Sequence, residues 1–180
     1  GKGVRTGLLI TRGFRAVYEA RGWSQPRGSD LLDTFYQKPP LLASQWLTEE
    51  VRERLDYRGE VVTALDEAGL RDSVHRLKAK GVEALAVCFL FSVLNPAHER
   101  RAAEIVAEIA PECRISLSSN VLPVIREYPR LSTTVIDAYV GPTIADYLMR
   151  LERRLIERGL KTPQLFLMQS NGGLMRISLG

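Results

Sequence analysis

Two short stretches of this 180-residue chain gather groups that can handle a polar ligand. The first, Arg126 to Thr134, sets the guanidinium groups of Arg126 and Arg130, the Glu127 carboxylate, the Tyr128 phenol and the hydroxyls of Ser132, Thr133 and Thr134 close together. Hydroxyls at the start of a helix cap its free backbone N–H groups, and such an end attracts phosphate or carboxylate. The same residues also suit plain scaffolding, with Ser132 or Thr133 as the cap and Arg126, Glu127 and Arg130 in ion pairs that anchor the helix. The second stretch, Gln169-Ser170-Asn171-Gly172-Gly173, follows an apolar strand at Leu165 to Met168. It sits past the strand's C-terminal end, the edge at which open α/β sheets bind ligands. Its glycines allow close backbone approach and its amides donate and accept, which suits an amide or carbonyl substrate, although a simple turn uses the same glycines.

Other chemistries leave less trace. No Gly-x-Ser-x-Gly elbow occurs, so no serine has a nucleophile's context. His75 and His98 have no Cys, Asp or second His at ligand spacing, and no metal site is expected. Thr11-Arg12-Gly13-Phe14-Arg15 passes from strand through glycine into helix without the repeated glycines of a phosphate-wrapping loop, and reads as a tight turn. Cys88 lies in the apolar run Leu85 to Leu90 as a buried thiol, and Cys113 near Pro111 as a loop residue. Two cysteines so spaced form no disulfide framework, which points to a cytoplasmic setting.

The net charge of +4 does not point to nucleic acid, because the densest basic group, Arg150, Arg153, Arg154 and Arg158, alternates with Glu152 and Glu157 on a solvated helix face. No apolar run approaches the roughly 20 residues of a membrane span, and Gly1-Lys2-Gly3-Val4-Arg5 lacks a signal peptide's cleavage pattern. No membrane partner is expected.

The elements that must position these groups alternate between strand and helix. A strand at Thr6 to Thr11 leads to a helix at Phe14 to Ala20, and a long loop without periodicity runs from Gly22 to about Ser44. A strand from Trp46 to Leu55, a turn at Tyr57-Arg58-Gly59 and a strand from Glu60 to Ala64 predict a hairpin. Asp66 caps a helix carrying Leu70, Val74 and Leu77 on one face, closed by Gly81. Ala84 to Phe91 is apolar on both parities, as in a strand buried on both faces.

Asn95-Pro96 opens a helix with Ala102, Ile105, Val106 and Ile109 on its buried stripe, and Arg114 to Ser118 returns as a strand. Strand, helix, strand requires a crossover, so the class is α/β with a mixed, mainly parallel sheet flanked by helices. A helix from Thr133 to Val140 is broken or kinked by Gly141-Pro142 and resumes from Thr143 to Arg158, with Gly159 closing it.

The run from Arg126 to Pro142 together with Met168 to Gly173 resembles the signature of the ATP-dependent hydantoinase and 5-oxoprolinase family, which includes acetone and acetophenone carboxylase subunits. Leu9 to Arg15, Lys38 to Leu41, Val51 to Asp56, Pro96 to Arg100 and Ser116 to Ser119 recur in the same order in such proteins, so the resemblance covers nearly the whole chain. It implies a partial actin-like ATPase domain of the ribonuclease H-like type, with residues 1–160 as an incomplete first half and 161–180 as the start of the second.

The resemblance also implies an enzyme that phosphorylates a carbonyl oxygen, either to hydrolyse a cyclic amide of the hydantoin or 5-oxoproline type or to carboxylate a ketone. ATP and a divalent metal, Mg or Mn, would be held in the full-length parent by phosphate-binding segments before and after this chain, so the piece alone is expected to be inactive and free of cofactor. Its implied partners are the remainder of its own polypeptide, a hydantoinase B-like second subunit and the small-molecule substrate. The implied substrate-facing residues are Arg126, Glu127, Arg130, Ser132, Thr133, Gln169, Ser170, Asn171, Gly172 and Gly173, with no catalytic base assigned.

Asp137, Pro129 and Phe91 depart from the common family pattern, which has Asn, Glu and, in hydantoinase-like members, His there. The last leans toward the carboxylase branch. The rival reading is a non-catalytic α/β module that binds a partner subunit or a small anion, which needs only the strand and helix core and the loop from Gly22 to Ser44.

Overall fold

The computed structural model describes residues 3–20, 40–161, 165–168 and 172–176. In chain order these form β1 (Thr6–Thr11), α1 (Arg15–Ala20), a 3-10 turn (Gln45–Leu47), β2 (Thr48–Val51), β3 (Arg54–Leu55), β4 (Val61–Thr63), α2 (Glu67–Ala79) and β5 (Ala84–Cys88). They continue with α3 (Ala97–Ile109), β6 (Arg114–Leu117), the single turn α4 (Ser118–Val121), α5 (Glu127–Glu157), β7 (Phe166–Met168) and β8 (Leu174–Arg176).

Four strands build one sheet in the order β2-β1-β5-β6, and every adjacent pair is parallel. The mainly parallel α/β class read from the sequence is the one observed. β1 and β5 occupy its centre, which explains why both are apolar on both parities. On one face Leu9, Leu85 and Val87 pack with Leu70, Val74 and Leu77 of α2 and Ala102, Ile105 and Val106 of α3. On the other, Leu8, Ile10, Ala84, Ala86 and Cys88 pack with Leu131, Val135 and Ala138 of α5 and Tyr18 of α1. The Asp66 carboxylate accepts from the Gly69 N–H at 3.0 Å as the cap of α2, and Gly81, at φ 72, follows that helix.

Three expectations are corrected. The stretch from Trp46 to Leu55 is not one strand: β2 joins the four-stranded sheet beside β1, whereas β3 pairs antiparallel with β4. The hairpin therefore exists but is short, because the chain leaves the main sheet between Val51 and Arg54. The central strand stops at Cys88, since Phe91 takes a left-handed conformation (φ 57) that no strand accommodates.

Third, α5 starts at Glu127 and runs unbroken through Pro142. Pro129 falls in the first turn, where no intrahelical N–H is required. Pro142 removes one helical hydrogen bond at a cost of about 3 kcal/mol. Burial of Ala138 and Ala145, on the turns either side of it, favours continuing the helix across that defect. Tertiary packing thus overrides the local breaker.

β7 and β8 form a separate antiparallel pair. The long loop expected from Gly22 to Ser44 falls mostly outside the described residues. Among the described residues no helix is long and apolar enough to cross a membrane.

Candidate functional site

The C-terminal ends of β1 and β5 lie side by side, and the chain beyond β5 turns sharply at Phe89 to Ser92. Two buried polar networks end on that turn. In the first, the Thr11 hydroxyl accepts from the Leu90 N–H at 2.8 Å and donates to Glu53. The other Glu53 oxygen lies 2.8 Å from His98 Nδ1. Glu53 is 3% exposed, and it ties β1, the segment before β3 and the first turn of α3 together.

In the second network, Glu99 of α3 accepts from the Phe89 N–H at 2.9 Å, the Ser118 hydroxyl at 2.6 Å and the Ser119 N–H at 2.9 Å. Ser118 Oγ lies 3.1 Å from Ser92 Oγ, which accepts from Arg130 Nη1 at 2.8 Å. Since Ser118 gives its only proton to Glu99, Ser92 is the donor between the serines. Arg130 Nη2 donates to the Phe89 carbonyl at 2.9 Å. The turn is thus gripped at the Phe89 N–H, the Phe89 carbonyl, the Leu90 N–H and the Ser92 hydroxyl. A bulky residue at positive φ is costly and persists only where its surroundings over-determine it, as they do around Phe91.

Beside the turn, a small and largely apolar cleft of about 10 Å³, roughly the room one water needs, is lined by Thr11, Phe14, Cys88, Leu90, Glu127 and Arg130, among others. Burial pushes the Cys88 thiol up to about 12; Arg130 works against this, and Glu99 adds to it. The thiol there is a neutral wall, not a nucleophile. Arg130 Nε is buried without a hydrogen-bond partner.

The expected site residues fall in different settings. Arg126 is exposed at the N-cap position of α5 and makes no side-chain cap bond, so the first N–H groups of that helix receive no acceptor from the cap side chain. Glu127 lines the cleft. Arg130 is 1% exposed and spends its Nη groups on neutral oxygens, and among the described residues it forms none of the ion pairs that scaffolding would have used.

The hydroxyls expected to cap the helix do not cap it. Ser132 donates back to the Pro129 carbonyl and Thr134 to the Arg130 carbonyl, because α5 begins at Glu127 and places them beyond its first turn. Thr133 is half-buried on the same turn. Gly172, at φ 85, and Gly173 connect β7 to β8, whereas Gln169, Ser170 and Asn171 lie outside the described residues. Gly13 offers its N–H to Glu50 at 2.9 Å, which fits the tight-turn reading of that segment.

Sequence reasoning missed the parts played by Thr11, Glu53, Ser92, Glu99 and Ser118, and read His98 as structural without finding its partner. The available signal was Ala97-His98-Glu99 in the first turn of the helix that comes next after a central strand, which can bring two polar side chains near where that strand ends.

Residues 1–110 match the model of the hydantoinase/oxoprolinase N-terminal region, and residues 130–179 match that of hydantoinase/oxoprolinase. The chain is 34% identical to the caprolactamase subunit alpha of Pseudomonas jessenii, over 96% of this chain and 24% of that one. It is also 34% identical to the acetophenone carboxylase gamma subunit of Aromatoleum aromaticum, over 95% of this chain and 25% of that one. The crystal structure of the ATP-dependent caprolactamase from Pseudomonas jessenii superposes with a TM-score of 0.86, at 34% identity, over 96% of this chain and 25% of that chain. The chain therefore spans about a quarter of the length of these relatives.

Proposed function

The chain belongs to the hydantoinase/oxoprolinase family, and on that footing we propose that it forms one wall of the cleft in an ATP-dependent enzyme that activates a carbonyl oxygen. The substrate is a cyclic amide that water then opens, or a ketone that is then carboxylated. A relative named for caprolactam and one named for acetophenone supply the two chemistries. The observation that carries the reading is the turn from Phe89 to Ser92, locked from both sides at the ligand-binding edge of a parallel sheet and next to the start of α5.

ATP, when bound, would supply the phosphoryl group that activates the carbonyl, toward attack by water in an amide or toward enolisation and carboxylation in a ketone. Nucleotide and metal are assigned to the rest of the enzyme, since this chain spans about a quarter of the length of its relatives. The residues of this chain act on the carbonyl side. Arg126, at the start of α5, orients the carbonyl and faces the negative charge of the phosphoryl group it receives, the kind of preorganised donor that stabilises a transition state. Glu127, on the cleft wall, is placed to select among substrates. Arg130 acts by holding the turn, and Ser132 and Thr133 by fixing the second turn of α5. Gln169 to Gly173 are assigned as further substrate contacts.

The enzyme is assigned to the cytoplasm. Its partners are the rest of its own polypeptide and a hydantoinase B-like subunit, in line with relatives named as subunits. Full-length polypeptide mixed with that subunit should release ADP from ATP only when a lactam, or a ketone with bicarbonate, is added. ADP release that no carbonyl compound stimulates would overturn the reading. The 180-residue chain alone should show no micromolar binding of Mg-ATP by calorimetry.

A further inference from the structure

α5 is apolar on two faces, and only one of them is covered. Leu131, Val135 and Ala138 are buried against the sheet, and Thr134, Ala145 and Leu148 are buried as well. On the opposite side Ile136, Val140, Ile144, Tyr147 and Leu151 follow one another at helical spacing for about 22 Å along the axis. Ile136, Ile144 and Tyr147 of this stripe are 49%, 50% and 59% exposed. A helix apolar on two sides belongs between two layers.

Two observations say what the second layer is. The match to the second family region begins at Arg130, inside α5, and runs on through β7 and β8. Within that region the β7–β8 ribbon also leaves Phe166, Met168 and Leu174 exposed, and a two-stranded ribbon is stable only against a further apolar surface. Relatives carry about three times as much chain again outside the part matched.

We propose that the Ile136 to Leu151 stripe is the docking face for the remainder of the hydantoinase/oxoprolinase region, seated in the same polypeptide, so that α5 is shared between the two units. The partner face is apolar with an acidic rim, because Arg150 and Arg154 border the stripe and have no ion pair among the described residues. The inference rests on the reading of this chain as part of a larger family enzyme, but its test does not use turnover, so the two fail separately.

Ile144→Glu and Tyr147→Glu should leave the melting temperature of the 180-residue chain within about two degrees. In the chain continued through its own reading frame they should lower it by five degrees or more, or abolish soluble expression. A Tyr147→Cys variant should react with a maleimide at least tenfold more slowly in the continued chain than in the 180-residue chain, with the buried Cys88 and Cys113 as internal references. Equal labelling in both, or a continued chain that tolerates the glutamates, would overturn the proposal. So would a reading frame that closes just past Gly180. A 180-residue chain that is already a dimer, with the introduced thiol protected there and a monomer on Tyr147→Glu, would overturn it in favour of a second copy.

Discussion

Arg130 and Glu99 are both fully buried, yet two serine hydroxyls stand between them: Arg130 Nη1 donates to Ser92, Ser92 to Ser118, and Ser118 to Glu99. The relay lets opposite charges compensate while each also holds the backbone of Phe89. Removing one buried charge leaves the other without its counterpart, which costs about 3–5 kcal/mol where the pair is in direct contact. Arg130→Met should therefore destabilise the chain by about 3 kcal/mol in urea unfolding, and Glu99→Gln by a similar amount. In a double-mutant cycle the two should couple by at least about 0.5 kcal/mol although they never touch. Strict additivity would mean that the serines do not transmit the interaction.

Thr11 and Glu53 give a second, independent test. Thr11→Val keeps the shape of the side chain but leaves the Leu90 N–H unpaired and removes a donor from Glu53, so a loss of about 1–3 kcal/mol is expected. Nitrogen NMR should find the neutral His98 ring protonated on Nδ1, facing Glu53. A spectrum with the proton on Nε2 would contradict this assignment.

The Cys88 thiol sets a pH dependence with a defined sign. Burial raises it from an ordinary value near 9.0 to about 12, so the folded chain keeps the proton where the unfolded chain gives it up. Its contribution is whole below pH 9 and is lost as the pH climbs from 9 toward 12. The alkaline fall in stability should be shallower in Cys88→Ala than in the parent chain. Iodoacetamide at pH 8.5 should modify Cys88 at least about a hundredfold faster in urea than in the native state.

Much of the fold was legible because it follows from local rules. Asp66 and Gly81 bracket α2, and the doubly apolar run from Ala84 marks the middle of a parallel sheet. What was not legible depends on distant partners. Pro142 reads as a breaker, and only the burial of Ala138 and Ala145 on either side of it shows why the helix continues. Arg126 and Arg130 look equivalent in sequence. The helix start at Glu127 leaves the first in solvent and turns the second inward to Ser92. Glu53 and His98, far apart in the chain, meet only because the segment before β3 crosses the first turn of α3.

The central claim, that the start of α5 faces the carbonyl being activated, is tested most directly by Arg126→Ala in the full-length enzyme, with ATP-dependent turnover and melting temperature measured on the same preparation. Arg126 is exposed and makes no side-chain cap bond, so its loss should leave the melting temperature nearly unchanged. Turnover should fall at least about tenfold, roughly 1.4 kcal/mol of transition-state stabilisation. A mutant with normal turnover per folded molecule, whether or not it melts lower, would contradict the assignment and leave Arg126 as a surface residue of the scaffold.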